Sequence, residues 1–176
     1  MSYSRRTRRF VLLLHVLSSV SWIGVDLVIG VLSFTGLTTG DPRTMATAYT
    51  ALHMFCVPLL LTLGLLSLGT GVLLSLGTRY GLVRYWWVAV KLVITIVLTA
   101  LVIFALRPTL IDGAAESAVV DATLPERLEL VRMNMIFPPL VSTSALLFTA
   151  WLGVYKPWGP TRYGRRFLRV PDRQRA

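Results

Sequence analysis

The sequence predicts an all-α integral membrane protein, a four-helix antiparallel bundle with both termini cytoplasmic. Three observations carry this. The 176 residues are 55% hydrophobic and only 15% charged, with a mean hydropathy of +0.67, so a core this small cannot hide the apolar residues and a bilayer must solvate them. Four apolar runs each reach the ~20 residues that cross ~30 Å of hydrocarbon as a helix. The net charge of +10 is gathered at the chain ends and in short loops, as membrane orientation demands.

The runs span about residues 10–35, 49–76, 85–106 and 133–155 of a single membrane domain, followed by a basic cytoplasmic tail, 156–176. Lipid leaves backbone groups unsatisfied unless they pair within the segment, and no run alternates every second residue as a barrel strand would, so each is read as a helix. Arg5, Arg6, Arg8 and Arg9 precede the first run, Arg79 and Arg84 separate the second from the third, and Lys156, Arg162, Arg165, Arg166, Arg169, Arg173 and Arg175 follow the fourth. The other side has Arg43, Arg107, Arg127 and Arg132. The basic side is therefore expected to face the cytoplasm, with Trp86, Trp87 and Trp158 as interfacial anchors there. The first run is longer than a signal-peptide core and lacks a small-residue cleavage site, so it is read as a retained span. In the outer loop, Thr123 and Pro125 predict a short surface helix. The "FPP" at Phe137–Pro139 predicts a kink or restart of the fourth span. The basic ends fit adhesion to anionic lipid rather than to nucleic acid. A single cysteine, Cys56, excludes an internal disulfide.

The first span, "VLLLHVLSSVSWIGVDLVIG", carries titratable groups that a bilayer penalises. At about 100° per residue, His15, Ser18, Ser19, Trp22, Asp26 and Ser33 fall on one stripe, expected to face the bundle interior. Matching faces carry His53, Gly64, Ser67, Gly71 and Ser75 on span two, Arg84, Trp87, Lys91, Thr95 and Thr99 on span three, and Ser142, Ala145, Thr149 and Gly153 on span four. Small residues there permit close helix approach. Depth sorts these groups into two layers. His15 and Lys91 lie a similar distance past the inner starts of their spans. Asp26 is about 16 Å further out, with Ser33, His53 and Arg107 as its expected partners. His15 and His53 should lie on the order of 20 Å apart or more along the bundle, too far for one iron. His15, Lys91, Ser18, Ser19 and Trp22 are thus the inner candidate site. His53, Met54, Cys56, Met133 and Met135 offer imidazole and soft sulfur at the outer face, the donor types a copper(I) site requires. Asp26 is a buried polar group suited to pairing or to proton handling.

The stretch "LLLHVLSSVSWIGVDLVIG" with the later "YWWVAVKLVITIVL" fits H-x(6)-W-x-G followed by W-x(3)-K-L. The pair resembles a broad group of small bacterial membrane proteins. The group includes the membrane domain of copper-resistance protein D, the membrane-embedded protoporphyrinogen oxidase, and an uncharacterised four-span family closest in length and loop pattern. The resemblance covers spans one to three. It implies a compact four-helix fold in a bacterial cytoplasmic membrane, and haem b or metal held by His15 with Lys91 as a nearby partner. The oxidase has further histidines that this chain, with two, does not match. No hydrolase triad, phosphate loop or dinucleotide fingerprint is present, so a non-catalytic role is expected. Two other readings stand beside ligand binding: an accessory subunit that meets a partner protein, lipid or second copy through its small-residue faces, and copper or proton handling at the outer face.

Overall fold

The computed structural model describes residues 4–78 and 81–168. Of the basic residues used for orientation, Arg79, Arg169, Arg173 and Arg175 lie outside them. Helix α1 runs Arg5–Thr38, capped by the Ser4 hydroxyl, which accepts the Thr7 N–H. Its 34 residues extend about 50 Å, beyond the predicted 10–35 at both ends. The arginines of the first turns are good helix formers, and at the far end Thr35 and Thr38 donate to the carbonyls of Val31 and Phe34 at 2.9 and 2.8 Å, so hydroxyls that would disturb the apolar run are satisfied within it.

The second span is one helical rod, Pro42–Leu76, made of α2 (Pro42–Ala51), a π turn (Leu52–Cys56) and α3 (Val57–Leu76). It begins a helical turn and more before the predicted position 49. Asp41 accepts the N–H groups of Arg43 and Thr44, and Pro42 occupies the first turn, where its fixed φ and missing N–H cost nothing. The third span, Trp86–Glu116, repeats the pattern: α4 (Trp86–Leu101), a π turn (Val102–Leu106) and α5 (Arg107–Glu116). Both π turns end two residues before a proline, Pro58 or Pro108. A proline inside a helix withdraws the donor from the carbonyl four residues earlier and crowds it. The widened turn moves that carbonyl aside without breaking the rod.

Beyond α5 come α6 (Leu124–Arg127) and α7 (Glu129–Asn134), then α8 (Phe137–Tyr155) and α9 (Arg162–Leu168). The expected surface helix is α6, with Pro125 in its first turn, and the expected restart of the fourth span falls at Phe137, with proline in the first turn of α8.

The spans close into a four-helix bundle. Helices α3 and α8 both pack on α1, and both pack on α4. Three glycines record the antiparallel register of the first two spans. A Cβ on Gly36 would stand 2.9 Å from the Tyr49 ring, one on Gly64 3.1 Å from the Trp22 ring, and one on Gly71 3.2 Å from His15 Cε1. Trp22, Ile29, Tyr49, Leu52, Cys56, Leu60, Leu98 and Leu146 fill the core, while Phe10, Leu13, Val20, Leu27, Val31 and Phe34 of α1 are exposed on the side that lipid must cover. At the α2 end, Arg127 clasps the 117–123 loop through Glu116 at 3.0 Å and Asp121 at 2.9 Å, and Arg132 donates to the Leu37 carbonyl at 2.7 Å. At the opposite end, Thr161 donates its hydroxyl to Val83 O at 2.7 Å and its N–H to Arg84 O at 2.8 Å. Gly164 lies so close to the Arg84 carbonyl that a Cβ there has no room.

Candidate functional site

The stripe on α1 faces inward. Ser18, Trp22, Asp26 and Ser33 are buried, and His15 and Ser19 are half-buried. His15 turns toward α3, where Nδ1 lies 3.1 Å from both the Ser67 carbonyl and the Thr70 hydroxyl. A carbonyl can only accept, so the network assigns the proton to Nδ1. Thr70 donates its own hydrogen to Leu66 O at 2.6 Å and so accepts from the ring as well. Nε2 is left with its lone pair. Ser19 and Ser67 share a hydrogen bond of 3.0 Å, and Ser18 donates back to the His15 carbonyl at 3.1 Å.

Lys91 belongs to the same level, as expected. It is half-buried, and its charge acts on the His15 ring. A Cβ on Gly153 of α8 would stand 3.0 Å from Lys91 Nζ. Gly71 and Gly153 are therefore the positions where spans two and four omit a side chain so that an imidazole and an amine can lie inside the bundle. Thr95 and Thr99 donate to carbonyls of their own helix at 2.9 and 2.8 Å, so their hydrogens are committed there. The small residues of spans two and four thus act within the bundle: Gly64 meets Trp22 and Thr99, Gly71 meets His15, and Gly153 meets Lys91.

Asp26 departs from expectation. The side chain that faces it is the Ser142 hydroxyl of α8, not Ser33, His53 or Arg107. Ser33 is seven residues along the same helix, about 10 Å away. His53 is displaced by a similar amount, because Trp22 is level with Gly64 and His53 lies eleven residues before Gly64 on the antiparallel helix. Arg107 is exposed.

The outer sulfur and imidazole donors are divided by the structure. Cys56 and Met135 are buried in the core, whereas Met54 and Met133 are 64% and 58% exposed. His53 is half-buried in the π turn. Among the described residues no three His, Cys, Asp or Glu side chains gather closely enough to hold a metal ion. Two grooves, of about 310 and 230 Å³, lie at the α2 end, the first lined by Leu32, Arg43 and Thr47, the second by Leu37, Glu129 and Arg132. Neither is near His15.

Sequence reasoning read Ser67, Gly71 and Gly153 as packing faces and overlooked Thr70. The signal was available: Thr70 is one turn from Ser67 and beside Gly71, on the face that opposes His15.

A bundle of four helices long and apolar enough to cross a membrane, with polar side chains turned to its interior, defines an integral membrane protein. The chain belongs to the family described as predicted integral membrane protein (DUF2269), which matches residues 9–157. Comparisons with curated proteins and with solved structures returned no match. These comparisons give no support to the resemblance to copper-resistance protein D and the protoporphyrinogen oxidase.

Proposed function

We propose that this is a multi-pass protein of the cytoplasmic membrane, a single membrane domain with both termini inside and basic ends on anionic lipid, which holds haem b through Nε2 of His15. One observation carries the reading: Nδ1–H of His15 is tied to the Ser67 carbonyl at 3.1 Å, the arrangement that orients a ligating imidazole, sets its tautomer and raises its basicity. The donor set fits a haem with one protein ligand better than a bare metal ion, since His15 belongs to no cluster of three His, Cys, Asp or Glu side chains among the described residues. Lys91 suits an anionic substituent such as a propionate, as a point charge with three donors. Haem, when bound, supplies one-electron chemistry. The chain's own residues do the remaining work: Ser67 and Thr70 fix the ring, Gly71 and Gly153 make room for the imidazole and the amine, and Lys91 neutralises.

The test is the visible spectrum of the protein purified from haem-replete cells. A Soret band is expected, lost in His15→Ala and weakened in Lys91→Met, with haem affinity down roughly tenfold for a charge-assisted bond of about 1.5 kcal/mol. Colourless protein that also fails to take up added haemin would overturn the reading.

A further inference from the structure

Midway along the bundle a second polar cluster takes no part in the His15 level. Asp26 is 2% exposed and Trp22 0%. Trp22 Nε1, Asp26 Oδ2 and Ser142 Oγ are all buried, and none has a hydrogen-bond partner. The first two lie one turn apart on one face of α1, and Ser142 faces Asp26 from α8. The neighbouring stripe residues Trp22 and Ile29 sit in the apolar core with Cys56, Leu60 and Leu146.

Among the described residues no charge is paired with this carboxyl. On the elements packed against α1, the titratable and charged groups are elsewhere. Cys56 is a core thiol of the π turn, His53 lies toward the α2 end, and Tyr49 is held against Gly36. Arg132 is bonded to Leu37 O. Lys91 and His15 share the opposite level, about 16 Å from Asp26. The ion pairs among the described residues join Arg127 to Glu116 and Asp121. A metal ion is a poor occupant: hard cations take six or more oxygens, and this site offers one carboxyl and one hydroxyl. A buried carboxyl with a single hydroxyl acceptor is suited to a proton, since an unpaired carboxylate in an apolar core neutralises instead.

We propose that Asp26 is a proton-binding site, held as the neutral acid with its O–H donated to Ser142 Oγ, and that this proton exchanges with the solvent. Its removal by hydroxide gives water and leaves a carboxylate, to which the Ser142 hydroxyl can turn and donate. The acid form binds α1 to α8. In the anion the same pair of residues stays joined with the roles reversed, the Ser142 hydroxyl donating to the carboxylate. This site stands apart from the haem reading and does not depend on it.

Infrared difference spectra of the intact protein in lipid nanodiscs test the assignment. At neutral pH a protonated-carboxyl C=O band is expected, assigned by isotopic labelling of aspartate carboxyls, lost reversibly in alkali and absent from Asp26→Asn. Ser142→Ala should keep the band and move it to higher frequency, because the acid loses its acceptor. The absence of a protonated-aspartate band at neutral pH, a band that alkali cannot remove, or one that Ser142→Ala leaves in place would each overturn the proposal. Should Asp26→Asn not fold, the labelled wild type and Ser142→Ala decide the matter.

Discussion

Gly71 and His15 meet across the first two spans: a single carbon added to the glycine would stand 3.2 Å from Cε1 of the ring. Gly71→Ala asks the imidazole to yield by a few tenths of an ångström, and a half-buried ring can do so. Gly71→Leu cannot be accommodated without lifting the ring from the Ser67 carbonyl. It is expected to destabilise the bundle by about 1–3 kcal/mol and, on the haem proposal, to remove most of the Soret absorbance, while Gly71→Ala keeps both. Thermal unfolding in detergent and the Soret-to-protein ratio measure the two effects.

Gly36 and Gly24 form a matched pair on α1. A Cβ at Gly36 would lie 2.9–3.0 Å from three atoms of Tyr49, whose side chain is fully buried and has nowhere to move. Gly36→Ala should cost about 1–3 kcal/mol through overpacking. At Gly24 nothing lies within 4 Å, so Gly24→Ala should stabilise by about 0.5–1 kcal/mol through helix propensity. Equal melting temperatures for the two variants would contradict the register drawn from the Gly36–Tyr49 contact.

The π turn before Pro58 holds one residue more than an α-helical turn would. Deleting Met54, which is exposed, together with Pro58→Ala should restore plain α-helix while leaving the faces of α2 and α3 where they are. Deleting one residue in α3 instead, such as Leu65, rotates everything beyond it by about 100° and should abolish folding. Yield of monodisperse protein in detergent distinguishes the outcomes.

Outside the membrane, Asp121 is held below its ordinary 3.8, chiefly by the Thr123 hydroxyl, with the Thr123 N–H and Arg127 assisting. Asp41 is likewise lowered by the Thr44 hydroxyl and by the N–H groups of Thr44 and Arg43. A carboxyl whose folded-state pKa is depressed binds fewer protons folded than unfolded. Its contribution is therefore complete above the ordinary value and is lost as pH falls through the depressed one. Hydrogen exchange of residues 41–45 and 121–127 should accelerate in that acid window, and Asp121→Asn should show the faster exchange of its loop already at neutral pH.

Much of the architecture was legible because the bilayer enforces it. Spans long enough to cross, their alternation, the inward stripe on α1 and the shared level of His15 and Lys91 follow from composition, periodicity and rise per residue. The misses have physical causes. The span starting at Pro42 hid behind polar Thr and Arg side chains, since a capped helix outside hydrocarbon needs no apolar run. The π turns needed Pro58 and Pro108 to be read as interruptions within a helix rather than passed over inside apolar runs. The partner of Asp26 depended on how α8 is rotated, and one helix's periodicity says nothing about the rotation of its neighbour.

The hydrogen bonds from Thr161 to Val83 and Arg84 bear on biogenesis. Nearly eighty residues separate donor from acceptor, and the whole of spans three and four is synthesised in between. The latch cannot engage while those spans are still passing from the ribosome into the lipid. Closure of the basic end is therefore among the last events of assembly, and a nascent chain stalled before Thr161 would carry all its membrane helices yet lack the fastening that joins its tail to the turn between the second and third.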